Sequence, residues 1–177
     1  MTDDAIIHRV LRGDVEAFAR LVDGHYDRCA RIAYRILGNR EDAEEAVQDA
    51  FLRAYRALAS YEDRERFSSW LSRILVNQCR TMYARAHRRE LMFSDVDPAD
   101  APSFVGEEAG DDAWPDLEHA LAQLPADQRE AIVLRYADDL SYEEMARVTG
   151  AGQSALKMRV QRAFTRLRVL LQEVHSA

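Results

Sequence analysis

The sequence predicts an all-α protein of two small helical domains joined by an acidic flexible linker, the second domain ending in a helix-turn-helix. Apolar residues recur at three- and four-residue spacing almost throughout, with no strand-type alternation. Seven Gly and four Pro are too few to punctuate an all-β chain, and three of the prolines fall in one segment. Charge divides the chain at that same segment. Residues 1–90 carry 16 Arg against 15 Asp and Glu, residues 91–116 carry eight acids with no Lys or Arg, and residues 117–177 are balanced at eight of each. The expected organisation is therefore a domain over 1–90, a linker over 91–116 and a domain over 117–177. Residues 91–116 hold Pro98, Pro102 and Pro115, have no period, and combine low hydrophobicity with like charge, as flexible tethers do.

Element by element, Ile6, Ile7, Val10 and Leu11 make a short amphipathic helix after Asp3 and Asp4, stopped at Gly13. A helix over about 14–37 places Phe18, Leu21, Val22, Tyr26, Cys29, Ala33 and Ile36 on one apolar stripe and ends at Gly38. Asn39 is placed to cap the next helix, with Glu41 and Asp42 in the first turn where the dipole favours anions. That helix runs to about residue 60 and buries Ala43, Ala46, Val47, Ala50, Phe51, Ala54 and Leu58. After a charged loop, a helix over about 67–89 buries Trp70, Leu71, Ile74, Leu75 and Cys79. Beyond the linker come helices over 117–124 and 126–137, the second opened by Pro125. Ser141 and Glu144 form a capping box into Met145, Ala146 and Val148. A turn at Gly150 and Gly152 leads to a last helix over about 154–174, burying Leu156, Val160, Phe164, Leu167 and Leu171.

The net charge of −7 argues at first against a nucleic-acid binder. Taken by segment it does not, because residues 66–89 hold six Arg and no acid, and residues 145–172 hold five Arg and Lys157 with no acid. The last two helices have helix-turn-helix spacing, although an ordinary αα-hairpin shares it. On the final helix Ser154, Lys157, Met158, Gln161 and Arg162 are left outward. These side chains suit the major groove: Gln reads adenine, Lys and Arg reach guanine or phosphate, and Met meets a thymine methyl. Asp42, Glu44, Glu45, Gln48 and Asp49 make the third helix acidic, and spacing of three and four residues puts Glu41, Glu45, Gln48 and Asp49 near one face, for which a plain solvated surface is the simpler explanation. Arg80, Arg85, Arg88 and Arg89 fit a phosphate-tracking surface, and cations near a helix C-terminus are also favoured by the dipole alone.

Enzyme chemistry finds little support. His8, His25, His87, His119 and His175 form no HExxH and no ExxH pair of a di-iron bundle. Cys29 and Cys79 each lie on an apolar stripe, as core residues do. There is no GxxxxGKS/T, GxGxxG or GxSxG, so no catalytic residue, metal ligand or cofactor is expected. No apolar run approaches the ~20 residues of a membrane span, and the N-terminus lacks a secretory pattern, so the expected location is the cytoplasm.

Over about residues 5–172, outside the linker, the layout resembles the bacterial RNA polymerase sigma factors of the extracytoplasmic-function (ECF) type. The motifs GDVEAFARLVDGHYDRCARIAYRILGN, REDAEEAVQDAFLRAYRAL, RFSSWLSRILVNQCR followed by RR, and LPADQREAIVLRYADDLSYEEMARVTG occur in that order. The resemblance implies a factor without catalytic residues that binds core RNA polymerase through its β′ clamp and β flap and directs it to promoter DNA. Glu44, Glu45, Gln48 and Asp49 would contact the polymerase. Asn77, Arg80, Arg85, Arg88 and Arg89 would act at the −10 element, and Ser154, Lys157, Met158, Gln161 and Arg162 at the −35 element. An anti-sigma factor is a further expected partner, and the acidic linker would enter the polymerase channels as a mimic of RNA. The chain departs from the family pattern at Arg80 and Thr81, where an Asp is frequent, at Met158 in place of Ser, and at Ser154-Ala155 in place of Gly-Thr. These departures bear on which promoter is read. The −10 helix also lacks a dense aromatic cluster, with Trp70 its main aromatic, which implies strict dependence on a good promoter. Two rival readings remain at this point: a helix-turn-helix regulator that works without polymerase, and a helical-bundle metalloprotein.

Overall fold

The structure, a computed structural model, describes residues 2–62, 66–93 and 115–176. The described residues form eight α-helices: α1 Asp3–Leu11, α2 Phe18–Leu37, α3 Arg40–Ala57, α4 Phe67–Phe93, α5 Pro115–Ala122, α6 Ala126–Tyr136, α7 Tyr142–Thr149 and α8 Gln153–Ser176. Single 3-10 turns occupy Val15–Ala17 and Leu58–Ser60, and no strand occurs among the described residues. The all-α, two-domain expectation holds. Most of the segment expected as linker, 94–114, lies outside the described residues.

Local chemistry sets the helix ends. Thr2, Asn39 and Ser141 cap α1, α3 and α7, with the Asn39 side chain accepting from Asp42 N–H at 2.9 Å. Ser141 and Glu144 complete the expected capping box in both directions. Gly38 and Gly150 close α2 and α7 at φ of 72° and 73°, a conformation only Gly adopts without steric cost. The helix expected from residue 14 begins instead with a 3-10 turn, because the Asp14 carboxylate accepts from Ala17 N–H at 3.2 Å and tightens the entry. α4 extends to Phe93, past the expected end near 89, since Leu91 and Met92 favour helix and no Gly or Pro occurs before Pro98. α5 starts at Pro115, inside the segment expected as linker; its fixed φ suits a first helical position.

In the N-terminal half, α2, α3 and α4 pack together with α1 against α2. Leu21, Ile32, Ala46, Val47, Leu71, Leu75 and Val76 are fully buried there. Tyr61, Phe67, Trp70 and His25 form an aromatic cluster, edge-on except for the tilted Phe67–Trp70 pair, which consumes Trp70 as a core residue. Cys29 and Cys79 are free and buried, and desolvation raises both thiols to about 12, as the core assignment requires. In the C-terminal half, α8 packs on α5, α6 and α7 around Leu134, Met145, Leu156 and Ala163. Arg129 is buried and reaches the Ala122 carbonyl at the end of α5. Two expected core aromatics are misplaced. Tyr26 and Phe164 are 36% and 44% exposed, because helical period gives a face but not how far a neighbour covers its margin.

The two halves meet along a seam of α2 and α4 against α5, α6 and α7. Arg28 pairs with Asp138, and Ser72 Oγ donates to the same carboxylate at 2.7 Å. Arg80 grips Glu130 through two hydrogen bonds, at 2.7 and 2.6 Å, and donates to the Thr149 carbonyl at 3.0 Å. Arg35 pairs with Glu118 at 3.2 Å, and Arg66 with Glu144. Burial pushes the Asp138 carboxyl above its ordinary value, against the pull of Arg28 and Ser72. At Glu144 partial desolvation is outweighed by hydrogen bonds from Ser141 and Arg66, which hold the carboxyl at about 2.

Leu71 is buried in the N-terminal core, so Leu71→Ala should lower unfolding free energy by about 2–5 kcal/mol in urea melts. Asn39→Ala removes only a cap and should cost about 1 kcal/mol. Glu144 has a folded pKa below its ordinary 4.5, so its contribution is complete above that pH and is lost as pH falls towards 2. Stability measured against pH should therefore flatten across that interval in Glu144→Gln, and an unaltered curve would contradict this assignment.

Candidate nucleic-acid interface and partner face

On α3 the cap at Asn39 and the buried Ala43, Ala46, Val47, Ala50 and Ala54 fix which side faces out. Glu44, Glu45 and Gln48 are exposed on that side, and Glu44 takes a surface ion pair from Arg40 at 3.0 Å, worth little by itself. Asp49 stands apart from them. It is half-buried and accepts from Gln78 Nε2 on α4 at 2.8 Å, so it braces α3 on α4 as well as bordering the acidic face. Beside these groups runs an apolar groove between α2 and α3, lined by Val15, Phe18, Val22, Tyr26, Phe51, Leu52 and Tyr55. Leu52 is 54% exposed, and Phe18 meets Tyr55 edge-on at 5.1 Å. The sequence reading missed Leu52 and Tyr55. Their signal was available, since both fall outside the buried stripe of α3 yet are large and apolar.

On α4, Asn77, Arg85, Arg88 and Arg89 are exposed. At about 100° per residue they share roughly a third of the helix circumference. Arg80 falls outside that arc, and its guanidinium is held by Glu130 and the Thr149 carbonyl. Hydrogen bonding to Glu130 raises its pKa further. Linear spacing could not show this, because the partner lies 50 residues away in the chain.

The α7–turn–α8 unit keeps its geometry through the capping box, the left-handed Gly150 and a hydrogen bond from Ala151 N–H to Thr149 Oγ1. Burial of Leu156, Val160, Ala163 and Leu167 turns the other side of α8 outward. Ser154, Lys157, Met158, Gln161 and Arg162 are all exposed there, as expected. The Lys157 ammonium sits 5.6 Å from the Tyr142 ring centroid, a cation–π contact that positions its charge at the mouth of the unit. A second apolar groove lies between α5, α6 and α8, lined by Leu117, Leu121, Ile132, Val133, Tyr136, Phe164 and Leu167, with Arg35 at its rim. Tyr136 and Phe164 pack edge-on at 5.1 Å, and both are exposed.

No group of three or more His, Cys, Asp or Glu able to hold a metal occurs among the described residues. No described helix is long and apolar enough to cross a membrane. The surfaces available are thus a mixed acidic and apolar face on α2 and α3, a basic arc on α4, and a polar-basic face on α8.

Comparison with known proteins accounts for this combination. Residues 21–89 match the family model for Sigma-70 region 2, and residues 115–167 match that for Sigma-70, region 4. The ECF RNA polymerase sigma-E factor of Escherichia coli is 33% identical over 175 residues, covering 92% of this chain and 91% of the relative. The RNA polymerase sigma-H factor of Pseudomonas aeruginosa is 31% identical, covering 91% and 89%. Among solved structures, the sigma factor RpoE in complex with the anti-sigma factor NepR, from Bartonella quintana, aligns at a TM-score of 0.72 with 30% identity, covering 88% of this chain and 96% of that one. CnrH in complex with the cytosolic domain of CnrY aligns at 0.70 with 28% identity, covering 97% of both. With both regions present in order and relatives similar over nine-tenths of its length, the chain belongs to the family of ECF RNA polymerase sigma factors.

Proposed function

We propose that this protein binds core RNA polymerase in the cytoplasm and divides promoter recognition between its two domains. α8 reads the −35 duplex in the major groove through Ser154, Lys157, Met158, Gln161 and Arg162. The exposed Asn77, Arg85, Arg88 and Arg89 act on the −10 element, with Arg80 joining them once it is released from Glu130. Capturing unstacked bases costs a few kcal/mol each, which shared attachment to the polymerase offsets by holding both domains at high local concentration. The observation that carries this reading is the α8 face: five groups suited to base edges and phosphates, all exposed, on the second helix of a helix-turn-helix unit.

Glu44, Glu45 and Gln48, bordered by Asp49 and the groove at Leu52 and Tyr55, form the face for the β′ clamp. Charged rim and apolar centre are the composition of a protein interface. The groove at Tyr136 and Phe164 is the face for the β flap. An anti-sigma factor is a further partner, supported by the complexes in which RpoE and CnrH were solved. The protein contributes no catalytic group; the chemistry of RNA synthesis is the polymerase's.

Run-off transcription with core polymerase on genomic DNA should give discrete start sites that disappear when this protein is left out. Random initiation would sink the proposal. Arg162→Ala should weaken promoter binding by about 1–3 kcal/mol if Arg162 contacts a base, whereas equal loss on promoter and random DNA marks a phosphate contact. Leu52 is half exposed, so Leu52→Asp should fold normally and yet weaken co-purification with core polymerase at least about tenfold. Retention of full affinity would remove the α2–α3 groove from the clamp face. A helix-turn-helix regulator acting alone would not co-purify at all.

A further inference from the structure

Lys157 is the only lysine of the chain, against 23 arginines. It is exposed on the second turn of α8, with Ser154 and Gln161 beside it on the same outward face. A lysine in such a place ordinarily samples many rotamers, because a long flexible stem carries its charge. Here the ammonium lies 5.6 Å from the centroid of the Tyr142 ring on α7, within cation–π range. The acids that flank Tyr142 in sequence are engaged elsewhere. Asp139 and Glu143 face Arg135 and Arg147, and Glu144 is held by Ser141 and Arg66. The ring, and not a carboxylate, is therefore what restrains the ammonium.

The ring is itself fixed from two directions. Ser141 caps α7 through the reciprocal box with Glu144, and Tyr142 is the first residue after that cap. The Arg135 guanidinium, near the end of α6, lies 5.5 Å from the centroid of the same ring. Arg135 in turn donates to the carbonyl of the buried Leu140 at 3.0 Å. A chain of contacts thus runs from the α6–α7 connection through Arg135 and Tyr142 to Lys157, and its last link is the flexible one. The attraction comes from the face of the π-system, so the Tyr142 hydroxyl is not needed for it. In a helix-turn-helix unit the first helix crosses the duplex backbone while the second lies in the groove. A charge held between α7 and α8 stands where the two contacts adjoin.

We propose that Tyr142 is a positioning residue for Lys157: its ring holds the ammonium in one orientation before DNA is met. Binding then forms this contact without first ordering a flexible side chain, and affinity gains by the cost avoided. The effect on DNA binding rests on the reading of α8 as the −35 helix; the restraint of Lys157 in the free protein does not.

The test exploits the single lysine. Reductive methylation with carbon-13 formaldehyde labels amines, so Lys157 gives the one side-chain signal in the NMR spectrum of the full chain. In the folded free protein its methyl protons should resonate upfield of their position in the urea-unfolded protein. That shift should vanish in Tyr142→Leu and persist in Tyr142→Phe. In a second arm, unlabelled protein is assembled with core polymerase. Affinity is measured for a promoter fragment taken from the strongest start site mapped by run-off transcription. Tyr142→Leu should weaken binding about two- to fivefold, the range of one exposed cation–π contact, and Tyr142→Phe should bind as the parent does. Once Lys157 is replaced by Ala, Tyr142→Leu should cost nothing further. Circular dichroism checks the fold of each variant. Should Tyr142→Leu unfold, Tyr142→Met takes its place, and an unshifted Lys157 signal in the parent overturns the proposal without any variant. Tyr142→Phe as weak as Tyr142→Leu would assign the effect to the hydroxyl. A Tyr142→Leu loss that persists beside Lys157→Ala would assign it to the architecture of the unit. Either result overturns the positioning role. Failure of the α8 reading has a different signature: Arg162→Ala would then leave promoter binding unaltered, removing the effect on DNA, while the Lys157 signal stays shifted.

Discussion

α4 has to divide a single circumference among three neighbours, and the rest of the molecule is arranged around that division. One side carries Leu71, Leu75, Val76 and Cys79 into the N-terminal core, where they are fully buried. A second side carries Ser69, Ser72 and Arg80 to α7, the α6–α7 connection and α6 respectively. The remainder leaves Asn77, Arg85, Arg88 and Arg89 outward. A rigid helix rotated by one residue would move each side by about 100° and exchange core for surface. The core side decides the rotation, because only it excludes water from several large side chains at once, and burial of each is worth about 1.5–3 kcal/mol. The polar sides inherit their positions from that choice. Gln78 reports the same constraint: it is buried yet polar, and it spends its amide N–H on Asp49.

How much of this was legible in the sequence follows from the range of each interaction. Caps at Asn39 and Ser141 and the stops at Gly38 and Gly150 act within four residues, and they were readable. The exposed set on α8 was readable too, since Leu156, Val160 and Ala163 define its buried side by period alone. Phe164 was not. It lies at the edge of that stripe, where exposure depends on Tyr136 from another helix. The pairing of Arg80 was not legible for the same reason. Its spacing from Arg85 and Arg88 is compatible with one basic surface, and only the distant Glu130 draws it away. Tyr26 lines a groove that exists only once α2 and α3 are packed.

Charge illustrates a subtler loss of information. Residues 117–177 balance at zero, which gives no hint of sidedness. In the folded domain the acids Glu118, Glu130, Asp138 and Glu144 gather on the seam, whereas Lys157, Arg162, Arg166 and Arg168 are exposed on α8. A neutral domain is thus strongly dipolar. The N-terminal half mirrors it, with arginines towards the seam and Glu44 and Glu45 exposed on α3. Net charge averages such arrangements away, and even charge by segment recovers them only where a whole helix is free of one sign.

The seam and the reading surfaces are therefore not independent features. A near-neutral domain whose α8 exposes Lys157, Arg162, Arg166 and Arg168 must carry its acids elsewhere, and half of them lie on the seam. Acids gathered there attract the nearby basic groups, which in this chain are Arg28 and Arg35 on α2, Arg66 just before α4 and Arg80 on α4. Attraction between the domains then arises from the charge separation within each of them. Its strength is limited by the desolvation of Asp138 and Glu130, which offsets much of the Coulombic gain and keeps the contact within reach of competition.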